Sequence, residues 1–244
     1  MLLQEGGLCL LNYFVYAGRR SQDFGLYISG SGTFVGAEWE IAEQPVPGRS
    51  GEFLISQNRM KNQDISYPAF IREKFKDYAE AARLWLLNGC EYKRLEDSYH
   101  PEYFRIGYFK GPLDFDVRAL NRSAELTLTF RCKPQRYRKD GEYPRTVSSG
   151  NSLFNFWMPS LPLIQITGTG SGQITVGQST VNLENMTGSV TLDSEVQDVF
   201  DGTTPMNQNA SISGGFPVLR SGENRIAWSG GITAVQITPR WWTV

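Results

Sequence analysis

The sequence predicts a mainly β protein that is divided into two domains and carries one helix. Three observations lead to this prediction. The 244 residues include 25 Gly and 12 Pro, and Val, Thr and aromatic residues are spread evenly along the chain, as is typical of all-β proteins. One segment has the three- and four-residue apolar spacing of a helix. The density of charged residues falls beyond residue 140, which is typical of a domain boundary.

The change in charge density is large. Charged side chains occupy 38 of the first 140 positions and 11 of the last 104. The second part is rich instead in Gly, Ser, Thr and Asn. The change falls near residues 138–146, where the segment KDGEYP supplies a Gly and a Pro. We therefore predict domains of residues 1–138 and 139–244.

The first domain is predicted to consist of short strands, broken by turns, and one helix over 72–88. Apolar residues recur there on one side of a helix, and Gly89 stands where a left-handed C-terminal cap belongs. We expect this helix to cover an open sheet face or the mouth of a barrel. The candidate strands are 24–28, 53–55, 65–71, 103–109 and 125–133.

The second domain is predicted to be strands throughout. Segments such as LIQITG and ITAVQITPRWW alternate apolar and polar residues, and turns with Gly separate them. Strands at this spacing favour a sandwich or a jelly roll. The Gly-rich segment GTGSGQ (168–173) lies between two candidate strands and opens no helix. We interpret it as a hairpin turn.

The strand that ends the first domain leads into a basic segment. Its alternation turns Cys132 towards the core, as a small buried hydrophobic residue. Pro134 is expected to end the hydrogen bonding of the strand. We interpret the basic side chains that follow as a linker between the domains and not as a nucleic-acid patch. The residues assigned to this joint are Lys133, Pro134, Arg136 and Tyr137.

Composition argues against several classes of protein. The net charge of −1 gives no bulk attraction to nucleic acid or to an anionic membrane. The three cysteines, Cys9, Cys90 and Cys132, stand far apart and form no zinc or redox motif. The N-terminal stretch lacks a basic region, so we expect no signal peptide. No apolar run approaches the roughly 18 residues of a membrane helix.

The sequence offers little for catalysis. The one histidine, His100, precedes a proline in a polar segment, and we interpret it as an exposed loop residue. A multi-histidine metal site is excluded, and neither a nucleophile elbow nor a P-loop occurs. We therefore predict no enzymatic activity, no cofactor and no bound metal.

Two groups of residues leave alternatives open. The acidic segment DSEVQDVFDG could form a calcium site or hold glycosidase carboxylates, but its spacing favours a solvated loop. Four tryptophans of the second domain could stack on sugar rings, or could belong to the core and rim of a sandwich. The acidic residues are Asp193, Glu195, Asp198 and Asp201, and the tryptophans are Trp157, Trp228, Trp241 and Trp242.

Six segments, in their order along the chain, resemble the distal tail protein (Dit) family of long-tailed, non-contractile phages and related prophages. No segment is diagnostic alone, but the ordered series is specific and covers nearly the whole chain. The segments are FVYAGRRSQDFGLYISG, VPGRSGEF, the predicted helix, LTFRCKPQRY, DSEVQDVFDG and FPVLRSGENRIAWSGGITAVQITPRWW.

The resemblance implies a fold and an assembly. Members have an N-terminal β-barrel-like domain with a packed helix, which forms a homohexameric ring. A C-terminal galectin-like β-sandwich projects outward from that ring. The resemblance therefore implies a structural protein of the virion, made in the bacterial host cytoplasm and placed at the distal end of the tail.

The resemblance also implies partners. The ring joins the major tail tube protein to the tail-associated protein of the tip, and its central channel lets DNA pass without specific binding. In some members the outer domain holds a receptor-binding protein or binds host glycans. A carbohydrate-binding module that contacts host cell-surface glycans is the alternative function, and neither function involves a membrane.

The turn VPGRSG contributes a candidate subunit interface. Gly48 and Gly51 flank Arg49 and Ser50 and would expose a cationic tip. Two interpretations stay open. The segment is a plain hairpin loop, or it is an intersubunit contact in which Arg49 pairs with a carboxylate of the neighbouring copy.

Overall fold

The computed structural model describes residues 11–30, 32, 35–118 and 120–244. They form two compact units, of which one runs to Arg136 and includes Val244, and the other comprises Tyr137–Thr243. Cys9 and the first ten residues of the stretch considered for a signal peptide lie outside the described residues. Within those residues, no helix has the length and hydrophobicity needed to cross a membrane.

The first unit is an antiparallel sheet with one helix packed on it. The strand order is β2-β1-β7-β8-β10-β6-β3, with β9 also paired to β10. Strands β4 and β5 form a separate two-stranded sheet. The elements are β1 (Phe14–Tyr16), β2 (Arg19–Arg20), β3 (Leu26–Ile28), β4 (Trp39–Pro45), β5 (Glu52–Met60), β6 (Gln63–Ile71), α1 (Phe75–Leu86), β7 (Lys93–Asp97), β8 (Tyr103–Phe109), β9 (Asp116–Arg118) and β10 (Ser123–Arg138).

Alternation along β10 builds the core of this unit. Leu128, Phe130 and Cys132 are fully buried, while the residues between them are more exposed. The predicted inward direction of Cys132 is confirmed, and burial raises the pKa of its thiol to about 12. The strand nevertheless continues through Pro134 to Arg138. Pro134 therefore does not end the strand, although the pairing with β6 stops at Cys132.

The predicted helix is present and is shorter than expected. It begins at Phe75 because Lys74 takes a left-handed conformation, with φ of 51°. Its inner face buries Trp85, whose ring lies parallel to that of Phe24 with centroids 4.2 Å apart. The Trp85 indole also donates to the Tyr16 carbonyl at 3.3 Å. Stacked aromatic pairs of this kind stabilise a fold by about 0.5–1.5 kcal/mol beyond their burial.

The second unit is built on three long strands. The strand order is β11-β18-β13-β14-β15-β16, with β12 also paired to β18 and β17 to β14. The strands are β11 (Arg145–Val147), β12 (Ser152–Asn155), β13 (Leu163–Val176), β14 (Ser179–Asp193), β15 (Asp198–Asp201), β16 (Thr204–Pro205), β17 (Ala210–Ser213), β18 (Gly222–Thr238) and β19 (Trp242–Thr243). The described chain also has short 3₁₀ helices at Ser21–Phe24, Lys139–Glu142 and Asn207–Asn209.

The long strands bend, so that one sheet supplies both layers of a sandwich. The two halves of β13 pair with opposite halves of β14 and of β18. Ile166 in the first half and Ile174 in the second half are both fully buried in the same core. The middle of β13 is exposed by comparison. Each strand therefore contributes to both faces of the core.

Glycines at the bend make this geometry possible. The registers of β13 with its neighbours shift between Gly168 and Gly172. A Cβ at Gly168 would lie 2.6 Å from the Gly231 carbonyl oxygen, and a Cβ at Gly231 would collide with the Thr169 carbonyl oxygen. The interpretation of GTGSGQ as a hairpin turn was therefore wrong. The segment is the corner of one continuous strand, and the β13–β14 turn comes at Gly177.

Candidate functional site

Strands β4 and β5 form an antiparallel hairpin, which we call the arm. Its register pairs Gln44 with Phe53 and Ala42 with Ile55. Among the described residues, no third strand pairs with β4 or β5. In the described structure, the outer backbone edges of both strands are therefore open, an arrangement that favours pairing with another chain.

Large apolar side chains cover both faces of the arm. Phe53 and Ile55 share one face, and Leu54 lies on the other because side chains alternate along a strand. Phe53 and Leu54 are each 60% exposed. A group of this kind is typical of a protein interaction site. The other exposed apolar residues of the arm are Trp39, Ile41 and Val46.

At the base of the arm, the Lys61 backbone amide donates to the Glu38 carbonyl at 2.8 Å, and exposed ion pairs join the same two strands. Lys61 pairs with Glu38 at 2.8 Å, and Arg59 donates to Glu40 at 2.5 Å. The hydrogen bond from Arg59 lowers the pKa of the Glu40 carboxyl. Exposed ion pairs add little stability, and an isolated two-stranded hairpin is marginal in water. The contacts within the arm therefore contribute little stability by themselves.

The predicted interface turn VPGRSG forms the tip of the arm. Gly48 and Gly51 have φ of 77° and 93°, in the region that favours glycine. The Arg49 amide donates to the Val46 carbonyl at 3.2 Å and closes the turn. Arg49 and Ser50 are exposed at its apex. The structure thus places the four predicted residues together, at the most distal point of an exposed hairpin.

The four residues assigned to the domain joint lie at the end of β10. The Lys133 ammonium stands 5.3 Å from the Tyr92 ring centre, and the Arg136 guanidinium 4.4 Å from that of Tyr103. Pro134 accepts a hydrogen bond from the Gln63 amide at 3.2 Å. Burial raises the pKa of the Tyr137 hydroxyl. These cations lie on aromatic rings, and the assignment of the four residues as a joint stays a prediction.

The acidic segment of the second unit is occupied by contacts within the chain. Arg240 donates to both carboxylate oxygens of Asp193, at 2.7 and 2.9 Å. These bonds lower the pKa of the Asp193 carboxyl. Asp198 accepts a hydrogen bond from Asn207, and Asp201 accepts one from Thr187 at 3.3 Å. No group of three or more potential metal ligands occurs among the described residues.

His100 is more enclosed than predicted. Its ring lies 3.2 Å from an oxygen of Asp97, and its side chain is only 20% exposed. The other oxygen of Asp97 accepts a hydrogen bond from the Tyr67 hydroxyl at 2.8 Å. The expectation of an exposed loop histidine was therefore wrong, because Asp97 draws the ring against the end of β7. These contacts fix the turn around His100 to the sheet.

The tryptophans considered for sugar stacking are engaged in packing. Trp241 is buried in the core, and Trp228 packs against that core. Trp242 donates to the Pro159 carbonyl at 2.9 Å, and the Arg138 guanidinium covers the Trp157 ring. None of the four is among the exposed large hydrophobic residues. These contacts favour the interpretation as core and rim.

Sequence reasoning missed two exposed features. It predicts no strand at Trp39 and Ile41 of the arm, although the consecutive apolar residues 53–55 indicate a strand that exposes both faces. Phe154 and Phe156 of the second unit are 51% and 78% exposed, with ring centres 4.5 Å apart. The signal that could have found them is the alternation in SLFNF.

The chain matches no family model and no curated protein. Solved structures do match it. The structure of the SPP1 Dit (gp 19.1) protein aligns with a TM-score of 0.72 at 13% identity, over 93% of this chain and 98% of that one. The chain has the fold of a phage Dit protein. Because the identity is low, this similarity defines the fold and leaves the activity to be proposed.

Two structures of the phage P2 baseplate in its activated conformation also match. A chain of the structure with Ca aligns with a TM-score of 0.51 at 7% identity, over 93% of this chain and 97% of that one. A chain of the structure with Sr aligns with a TM-score of 0.50 at 8% identity, again over 93% of this chain and 97% of that one. The Dit-like fold therefore extends over both units, and the expected mainly β architecture with one packed helix is confirmed.

Proposed function

We propose that this protein is a structural hub at the distal end of a long, non-contractile phage tail. In this proposal, six copies form a ring that connects the tail tube to the proteins of the tip and leaves a central channel for DNA. The observation that carries the proposal is the alignment with SPP1 Dit, which spans 93% of this chain and 98% of that one. That protein is described as a paradigm of the hub adsorption apparatus in phages that infect Gram-positive bacteria.

The arm supports a ring on physical grounds. A head-to-tail contact joins two different surfaces of the same chain, and such contacts close into a ring when the rotation between copies allows it. An exposed hairpin with apolar side chains on both faces supplies one such surface. In the proposed ring, the Arg49 turn contacts the neighbouring copy, so Gly48, Arg49, Ser50 and Gly51 belong to the subunit interface.

The remaining functions of the hub follow from the same proposal. The tube protein and the tail-associated protein would bind opposite faces of the ring, and DNA would cross the channel without specific contacts. A net charge of −1 is compatible with such passage because it provides no bulk attraction to phosphate. In this role the protein acts by assembly and not by catalysis, and it resides in the virion.

The mass of the assembly in solution tests the ring. We expect multi-angle light scattering of the purified full chain to give the mass of six copies, with a lower mass on dilution. A reconstruction of tail tips assembled in the bacterial host should show six copies around a channel. A protein that stays monomeric at high concentration, together with tail tips that lack it, would contradict the proposal.

A further inference from the structure

Within the described ranges of the chain, the arm tip is not covered by another segment. Residues 46–51 at its tip are all exposed, and among the described residues β4 and β5 pair only with each other. Strand β5 has 9 residues, and at about 3.3 Å per residue it extends roughly 30 Å. That length approaches the width of a small domain. The tip can therefore reach a neighbouring copy if the ring proposed above forms, and the docking inferred from it depends on that ring.

The first unit contains an open groove that could receive the arm tip of a neighbouring copy. It has a volume of about 650 Å³ and lies on the outer face of β6 and β10. Pro68, Phe70 and Thr127 line its floor, and Phe115 forms a wall. The Phe115 ring packs edge-on against Phe75 of α1 with centroids 5.3 Å apart. This contact fixes the wall, so the groove is formed before any partner arrives.

The groove is negatively charged. Three carboxylates line it or its rim, from Asp114, Asp116 and Glu125. Arg118 pairs with Asp116 at 2.9 Å and with Glu125 at 3.4 Å. Within the described part of the chain, no cation pairs with Asp114. The Arg83 guanidinium also lies near the wall, 5.5 Å from the ring centre of Phe115. Three carboxylates against the Arg118 and Arg83 guanidinium groups leave the groove with an excess of one negative charge, and Asp114 is the carboxylate that neither arginine pairs with.

The tip of the arm complements this groove. Arg49 is the one charged residue in VPGRSG, and Val46 beside it is an exposed apolar side chain. A groove with an apolar floor and an acidic rim matches a turn with an apolar base and a cationic apex. Complementary charge of this kind sets the register of an interface and disfavours wrong partners.

We propose that the arm tip of one copy docks in the groove of the next copy, with Arg49 paired to Asp114. Arginine suits such a contact because its planar guanidinium binds a carboxylate through two parallel hydrogen bonds. Each copy then carries one tip and one groove, and repetition of the contact produces a head-to-tail ring. The chemical class of the partner is therefore a second copy of this chain.

Exchange of the two charges tests the pairing. We expect Arg49→Asp or Asp114→Arg alone to weaken association of the full chain about tenfold or more, measured by sedimentation across a dilution series. The double variant Arg49→Asp/Asp114→Arg restores the contact with reversed polarity and should recover most of the loss. Arg220→Glu and Glu184→Arg change exposed charges of the second unit and should leave association unchanged.

A disulfide between copies provides a second measurement. With Cys9 and Cys90 replaced by Ser, the variant Ser50→Cys/Asp114→Cys should form covalent multimers under mild oxidation, visible as a ladder on a non-reducing gel. The matched variant Ser50→Cys/Glu184→Cys should not. Circular dichroism of each variant checks that the fold is retained.

The outcomes separate the docking from the proposed hub. If Arg49→Asp prevents assembly but Asp114→Arg and the cysteine pair have no effect, the arm binds elsewhere on the neighbour and the groove is the wrong site. If neither charge nor the cysteine pair matters while six copies still assemble, the docking is overturned and the hub proposal survives. If no assembly forms in solution or on tails, both proposals fail.

Discussion

Two of the β-hairpins in the described structure, β13–β14 and the arm, differ in what covers them. In the β13–β14 hairpin, apolar side chains of both halves turn into one core, and Ile166 and Val190 are fully buried. In the arm, Phe53 and Ile55 stay exposed on one face and Leu54 on the other. The first hairpin gains further strands on both sides, whereas the arm gains none among the described residues.

The difference lies in the pattern and not in the amount of apolar sequence. Strand β13 alternates from Ile164 to Thr167 (IQIT), so a single face can be buried within the chain. Strand β5 carries three consecutive apolar residues, which point to both faces. One sheet layer cannot bury both faces of a ribbon, so the arm is suited to be covered by another molecule. The sequence patterns thus distinguish a hairpin that is buried within the chain from one that stays exposed.

The largest expected effect comes from blocking the bend that brings the two halves of β13 and β14 together around one core. In Gly231→Val, the new side chain collides with the Thr169 carbonyl, a backbone atom that cannot move aside. We expect a loss of about 4 kcal/mol or more in the free energy of unfolding of the second unit. Hydrogen exchange of peptides from 163–193 measures this loss. Gly36→Val is the control, because a Cβ there meets no atom within 4 Å.

The next prediction compares the loss of unfolding free energy when a buried residue of the β13–β14 hairpin and an exposed residue of the arm are each replaced by alanine. Ile166→Ala should cost about 3 kcal/mol in unfolding free energy because it leaves a cavity. Phe53→Ala should change stability of the monomer by less than about 0.5 kcal/mol and should weaken association. Urea denaturation and sedimentation separate these quantities. Equal destabilisation by the two substitutions would remove the distinction between the hairpins.

Of the three sites in the second unit that are expected to lose stability, the end of β14 should show the smallest loss when it is altered; there Arg240 donates hydrogen bonds to Asp193. The hydrogen bonds from Arg240 lower the pKa of Asp193, so this contribution to stability is complete above the unfolded-state pKa of about 3.9. It is lost as the pH falls through the lowered folded-state pKa. Asp193→Asn should cost about 1–3 kcal/mol at neutral pH.

The dependence of stability on pH tests the role of Asp193, and Asp201→Asn serves as the control substitution. Asp193→Asn should flatten the acid branch of stability measured by thermal denaturation between pH 7 and pH 2. In Asp201→Asn, a contact of 3.3 Å to Thr187 is altered at an exposed site, and the acid branch should stay close to that of the parent chain. An unchanged acid branch in Asp193→Asn would mean that the pair does not hold the end of β14.

Regular alternation made much of the fold predictable. It predicted the strand at 103–109 that became β8, the inward direction of Cys132 and a sandwich in the second unit. Prediction failed where long-range contacts override local sequence. GTGSGQ has the composition of a turn, and only its crossing with Gly230 and Gly231 makes it the corner of a strand. Pro134 lies inside β10 although the pairing with β6 ends at Cys132, and β10 is also paired with β8 on its other side.

The candidate site was predictable only in part. The glycines and the exposed Arg49 indicated the turn, but the length of the arm was underestimated. Alternation is a signal of burial within the chain, and strands that remain outside the core do not carry it. The groove could not be foreseen either, since Asp114 and Thr127 come together only through the pairing of β9 with β10.

The unpaired edges of the arm have a cost for the free protein. Before assembly, each newly made copy would present an exposed apolar ribbon that can pair indiscriminately and aggregate. The arm carries charged residues along its length, including Glu40, Glu43, Glu52 and Arg59, and charges of this kind discourage uncontrolled pairing of edge strands. Substitution of Glu43 and Glu52 by neutral residues would therefore reduce the soluble yield before it affected the completed assembly.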